Sequence, residues 1–251
     1  MALRLMCITA HPDDESGGFG GALLIAHRQK VETTVICLTE GRAASNRGSA
    51  QSDDELAAAR KREFEESCAI LGVTYPHVWQ YPDGELMHER GYDVVKKLVQ
   101  CMREMRPHIV LTFGGDGGPN IHRDHAMAGV FATLAFHWSG RSFFVPEHLQ
   151  NGLGLWAPQK LYYSSTEFTV TKFTEEAAVS PKTTASLVLE LGELKEIKRR
   201  AIEAHGTQLV LSRAGELYER YGHQEHYLLA AARRPELMGK ETSLFEGIEE
   251  E

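Results

Sequence analysis

Two short stretches hold the residues best suited to chemistry: Ala10-His11-Pro12-Asp13-Asp14-Glu15 and His122-Arg123-Asp124-His125. Histidine and carboxylate are ordinary ligands of a hydrolytic zinc, which takes three protein ligands and leaves one position open. They are equally ordinary in polar turns and helix caps, so either stretch alone has two readings. Together they hold more than a metal needs. Two histidines and one aspartate suffice for the ion. The surplus suits a base for a water molecule, a donor for a developing oxyanion, and a carboxylate that orients a histidine.

The elements around both stretches follow one grammar of buried strand, polar turn and helix. Leu3–Thr9 reads as a strand before His11. The run Gly17-Gly18-Phe19-Gly20-Gly21 reads as a wide turn with close helix–sheet packing, and Ala22–Ala26 as the helix after it. The glycines form no G-x-G-x-x-G opening directly from a strand, so they are not a dinucleotide fingerprint. The apolar Ile109–Phe113 reads as a strand before a glycine-rich loop, Gly114–Asn120, and Ala126–Trp138 as a helix beyond His125.

Between them, Val31–Thr39 is rich in β-branched residues and reads as a strand, followed by a polar loop, Glu40–Ser49. Ser52 with Glu55 resembles a capping box, opening a helix that Gly72 ends. His77–Trp79 is a short strand, Tyr81-Pro82-Asp83-Gly84 a turn, and 91–104 an amphipathic helix with Val94, Val95, Leu98, Val99 and Met102 on its apolar side. Alternating strands and helices predict an α/β fold: a Rossmann-like, mostly parallel sheet with helices on both faces. In such a sheet ligands bind at the carboxyl ends of the strands where the strand order reverses. If Ile109–Phe113 lies beside the first strand across that reversal, the two stretches meet.

The C-terminal portion is less regular. Lys160–Ser165 and Leu187–Leu189 read as strands, Glu193–His205 as a charged helix, and Leu209–Ala232 as a helix broken at Gly222. The 251 residues are expected to form one domain, with its core at about 3–140, further strands and helices at about 158–232, and a flexible tail at 240–251.

Lysine plus arginine is 27 and aspartate plus glutamate 35, a net charge of −8. This balance disfavours nucleic acid or an anionic membrane as partner. No apolar run reaches the roughly 20 residues that span a bilayer, and no secretory leader is read at the N-terminus. Cys7, Cys37, Cys68 and Cys101 form no C-x-x-C pair; as buried reduced thiols they suit the cytoplasm.

The pair of motifs, His-Pro-Asp-Asp-Glu and then His-x-Asp-His, resembles the PIG-L/LmbE-like family of zinc-dependent N-acetylglucosaminyl deacetylases. That family includes the de-N-acetylases of glycosyl-phosphatidylinositol, mycothiol and bacillithiol biosynthesis. Further echoes are Thr39-Glu40-Gly41, Arg60 with Glu63, Tyr81-Pro82-Asp83-Gly84, and Lys198, Ala201, His205 and Gln208 at the spacing of its C-terminal helix signature. The resemblance implies that His11, Asp14 and His125 ligate zinc and that Asp13 is the general base acting on the zinc-bound water. It further implies that His122 stabilises the oxyanion, that Asp124 supports a histidine, and that Arg60 and Asp83 hold the sugar. Asn120 departs from the pattern, standing where some members place a tyrosine near the oxyanion.

The expected activity is therefore removal of acetate from a small-molecule N-acetylated amino sugar or conjugate, with Zn2+ (or another divalent ion such as Fe2+) as cofactor. Either Asp13 or His122 would protonate the leaving amine. The alternatives are hydrolysis of a different amide, such as an acylated natural product or amino acid, and a non-catalytic sugar- or nucleotide-binding α/β domain. Glu40–Ser49 and Gly140–Trp156 are expected to set specificity, with Gly152–Trp156 as a loop over the site. His205 reads as a structural hydrogen-bonder. Lys198-Arg199-Arg200 and His223-Gln224-Glu225-His226 read as solvated helix faces, with Glu225 a minor candidate for closing the site.

Overall fold

The structure, a computed structural model, describes residues 2–165, 184–208, 222–239 and 241–249. The chain runs β1 (Arg4–Thr9), α1 (Asp14–Arg28), β2 (Glu32–Thr39), α2 (Asp53–Leu71), β3 (Tyr75–Tyr81), α3 (Gly91–Met105), β4 (Ile109–Phe113), α4 (Arg123–Ser139), α5 (Pro146–Gln150), β5 (Lys160–Ser165), β6 (Leu187–Glu190), α6 (Leu194–Glu203) and β7 (Gln224–Ala232). The strands form one seven-stranded sheet in the order β3-β2-β1-β4-β5-β7-β6. The first five are parallel, and β7 runs antiparallel to both neighbours.

β1 and β4 are buried on both faces, which is why they read as continuous apolar runs rather than alternating ones. Helices α1, α2 and α6 pack together, and α3 packs on α4. Opposite faces are what right-handed crossovers require when the chain winds outward through β2 and β3 and returns through β4. The reversal falls between β1 and β4, whose register sets Leu5 beside Ile109 and Cys7 beside Leu111. The polar turns after both strands therefore share one edge of the sheet, as expected.

The local signals held for α2. Ser52 Oγ accepts from Glu55 N at 3.2 Å, and Gly72 ends the helix at φ 73°. Four expectations are corrected. First, α1 begins at Asp14, so the glycine run lies inside the helix. Gly21 is there for close approach: a Cβ would stand 2.4 Å from Leu191 Cδ2 and 2.8 Å from Glu225 Cδ. Second, residues 224–232 are a strand, not a helix, because β7 is paired along both edges; residues 209–221 of that expected helix lie outside the described residues. Third, Gly152–Trp156 is not a loop over the site. Helix α4, which leads into this part of the chain, starts at the site and runs 17 residues away from it, about 25 Å at 1.5 Å per residue. Trp156 donates to Pro107 O, just before β4, at 2.6 Å. Fourth, the acidic tail does not simply fray. Leu244 is buried, and Glu249 exchanges two backbone hydrogen bonds with the Gln159 amide, at 2.7 and 2.9 Å. Among the described residues no helix is long and apolar enough to cross a membrane.

Candidate active site

His11 lies two residues beyond β1, Asp13 caps α1, and Asp14 opens it. Asp14 Oδ2 accepts from the amides of Ala10 and His11 at 3.0 and 2.8 Å, folding the turn onto its own carboxylate. Across the strand reversal His122 caps α4, and Asp124 and His125 occupy its first turn. Both helices thus begin at the site, so their N-terminal dipoles favour negative charge there.

The two stretches converge. His11 Nδ1 is 3.3 Å from His125 Nε2, and His125 Nε2 is 3.0 Å from Asp14 Oδ1. His11 Nδ1 is also 3.7 Å from Asp14 Oδ2. His125 Nδ1 faces Gly117 O at 3.2 Å. A carbonyl only accepts, so that nitrogen carries the ring proton and Nε2 presents its lone pair to a carboxylate oxygen. Lone pairs facing lone pairs in a buried cluster require positive charge among them, either extra ring protons or a cation. Two imidazoles and a carboxylate are a fitting donor set for a divalent transition metal. His122 adds a third ring: one nitrogen each from His11, His122 and His125 lie within 4.8 Å of one another.

The other nitrogen of His11 is also placed. Nε2 lies 3.1 Å from Asp83 Oδ1 and 3.4 Å from Asp124 Oδ2, off the direction of a good hydrogen bond. Asp124 brings this about by accepting from the amides of Gly84 and Leu86, at 2.7 and 3.3 Å, which docks the loop after β3 onto α4. Carboxylates behind a histidine orient its ring and raise its basicity as a ligand. Burial pulls the His11 pKa down, but Asp124, Asp83 and Asp14 outweigh it and hold it up at about 10. For Asp14, burial pushes the pKa up and the neighbouring His125 and His11 more than reverse it, holding the carboxyl well below its usual range.

Asp13 and His122 stand at the open side. Burial pushes the Asp13 carboxyl up, Arg60 opposes this, and Asp14 adds to it; 36% of its side chain is exposed, against 8% for Asp14. His122 Nδ1 accepts from Asp124 N at 3.2 Å, so a neutral ring carries its proton on Nε2. Burial, with His11 and His125 nearby, lowers its pKa and favours that neutral form. Its ring meets His11 edge to face at 4.7 Å.

Arg60 and Asp83 stand deeper than an open sugar pocket would put them. Arg60 is 3% exposed, donates to Gly41 O at 2.9 Å and to Pro12 O, and meets Asp13 Oδ2 at 3.1 Å. Gly41 leaves room for this, since a Cβ there would stand 2.2 Å from the guanidinium. Asp83 Oδ2 accepts from Ala43 N at 2.7 Å, so the loop after β2 joins the rim. Asn120 is exposed.

Two readings of charged residues are corrected. Lys198 is not on a solvated face: it is buried, 2.6 Å from Glu225 Oε1. Glu225 does not close the site, because it is buried on β7 beneath α1. The glycine run was the sequence signal for that contact. His205 is a buried hydrogen-bonder, 2.6 Å from Glu15 Oε1.

A doubly wound sheet with this centre at its switch point is the layout of an α/β protein whose active site lies at the carboxyl ends of its strands. The family model for GlcNAc-PI de-N-acetylase (PIG-L) matches residues 6–136, a little over half of the chain and both motifs. Diacetylchitobiose deacetylase of Thermococcus kodakarensis is 28% identical over 82% of this chain and 70% of its own. The 1D-myo-inositol 2-acetamido-2-deoxy-alpha-D-glucopyranoside deacetylase of Rhodococcus erythropolis is 26% identical over 98% of both chains. The solved N,N′-diacetylchitobiose deacetylase of Pyrococcus horikoshii superposes with a TM-score of 0.74 at 25% identity, covering 90% of this chain and 83% of its own. The chain belongs to the GlcNAc-PI de-N-acetylase (PIG-L) family and is an amide-hydrolysing deacetylase, as its two motifs led us to expect.

Proposed function

We propose that this enzyme removes the acetyl group from an N-acetylated amino sugar or its conjugate, with a divalent cation, zinc first among candidates, held by His11, Asp14 and His125. The convergence of His11 Nδ1, Asp14 Oδ1 and His125 Nε2 carries the reading. When bound, the cation supplies Lewis acidity toward the acetyl carbonyl and lowers the pKa of water. The relatives named for diacetylchitobiose and for an acetamido-glucopyranoside support an acetylated amino sugar as the substrate class.

The chain's own groups do the rest. Asp13, partly open and with a raised pKa, takes the proton of the attacking water. His122 Nε2–H donates to the oxygen that becomes negative in the tetrahedral intermediate. An amide nitrogen leaves only when protonated, and Asp13 or His122 returns that proton. Asp124 and Asp83 keep the His11 ring turned so that Nδ1 faces inward. Of the two residues expected to fix the sugar, Asp83 at the rim is the better placed, and Arg60, beneath Asp13, acts on the sugar through the Asp13 turn. Four unpaired cysteines suit a reducing, cytoplasmic setting.

Acetate release from N-acetylated sugars and glycoconjugates tests this. Chelation abolishes release and zinc restores it. Full activity in metal-free protein would refute the reading.

A further inference from the structure

A buried polar chain lies behind Asp13, and the reaction roles above leave it unused. Asp13 has φ 124° and ψ −26°, a conformation that non-glycine residues avoid. The peptide joining Pro12 to Asp13 is held from both ends: Arg60 donates to Pro12 O, and Asp13 N donates to Glu15 Oε2 at 2.9 Å. Glu15 is wholly buried, and its second oxygen receives Ser67 Oγ at 2.5 Å and His205 Nε2 at 2.6 Å. His205 follows α6, 190 residues away in sequence.

The start of α1 does not need this arrangement. Asp13 O already accepts from Gly17 N and Ser16 Oγ, both at 3.0 Å. A buried carboxylate is costly without donors, and Glu15 collects three, from α2, from beyond α6 and from Asp13 itself. Without the pull on its amide, Asp13 would relax toward an ordinary φ and swing its carboxylate away.

We propose that Glu15 and His205 are positioning residues: Ser67 and His205 hold the Glu15 carboxylate, Glu15 holds the Asp13 amide, and the Asp13 carboxylate is thereby aimed at the attacking water. The proposal rests on the reading of Asp13 as the base. It places a residue just beyond α6 in control of the turn after β1.

The test uses the zinc-loaded full chain with Glu15→Gln, His205→Ala and His205→Gln, reading kcat, KM, zinc content and hydrogen exchange at the Asp13 amide. A glutamine at position 15 has one acceptor oxygen and no charge, so it cannot accept from both the Asp13 amide and His205 Nε2–H. Its kcat falls about 10–100-fold, while KM and zinc content stay within about twofold. His205→Ala loses about tenfold or more. His205→Gln keeps an N–H aimed at Glu15 and recovers most of that loss. Asp13 amide exchange accelerates in Glu15→Gln and His205→Ala and stays slow in His205→Gln.

Unchanged kcat in Glu15→Gln, equal losses in both His205 variants, or losses that merely track zinc content or melting temperature would each overturn the proposal. If the parent enzyme hydrolyses no acetylated sugar, the proposed function fails separately. The exchange data then decide whether the pair holds the turn, and unaltered exchange in Glu15→Gln rejects it.

Discussion

Two clusters of buried charge touch helix α1, seven residues and about 10 Å apart along its axis, and they are built on opposite rules. At the N-terminus of α1, the acceptors of His11, Asp14 and His125 face one another. At its middle, Glu225 Oε1 accepts from Gly21 N at 2.7 Å and Lys198 Nζ at 2.6 Å, and Oε2 from Ala22 N at 2.9 Å and Tyr227 OH at 2.8 Å. Every acceptor in the second cluster meets a donor, so nothing is left to bind. Burial of charge is common to both and marks neither as a site. What separates them is unmatched polarity, together with the unfavourable backbone at Asp13, a conformation of the kind that clusters at functional sites.

That contrast can be broken by removing one member of each cluster. Asp14→Ala or His125→Ala should lose the metal and lower acetate release on the order of a thousandfold or more. Elemental analysis beside the activity assay checks this, and retained metal would move the ion elsewhere. Asp13→Asn should keep the metal and lose about 10²–10⁴ in kcat. In the proposed role of base Asp13 works deprotonated, and its pKa is raised, chiefly by burial, so activity should decline with falling pH above the ordinary carboxylate range. That acid limb should vanish in Asp13→Asn.

The closed cluster should answer in stability instead. Lys198→Met leaves Glu225 buried without its cation, at a cost of about 3–5 kcal/mol, while metal content and turnover per folded molecule are retained. Denaturant melts read the first and titration of active sites the second. Loss of turnover without loss of stability would mean that the cluster belongs to the site after all. The smallest expected effect concerns strain alone. Asp13→Gly and Asp13→Ala both remove the carboxylate, but at φ 124° glycine should be the more stable by about 1 kcal/mol, reversing the usual order inside or near a helix.

Much of the site is legible in the residues alone. His11, Asp13, Asp14, His122 and His125 declare themselves because metal-competent side chains sit at equivalent strand ends, and strand and helix periods are local properties of the chain. The C-terminal third was less legible. Residues 224–232 carry an apolar pattern that suits helix or strand, and pairing with β5 and β6 decided it. Lys198 looks solvated in sequence because its neighbours Arg199 and Arg200 are charged; it turns inward because Gly21 leaves room for Glu225 to reach the α1 backbone.

The sequence by itself determined the strand–turn–helix grammar, the donor set and the family, since these depend on residue types at short spacing. Only the tertiary structure decided that Asp83 and Asp124 share the back of His11, that Arg60 lies beneath Asp13 rather than in the open, and that His205 reaches Glu15 across 190 positions. The reason is physical. A second layer of polar support is chosen by which loops the sheet order brings to one edge and by which buried acceptors still lack donors there, and neither quantity exists until the chain has folded.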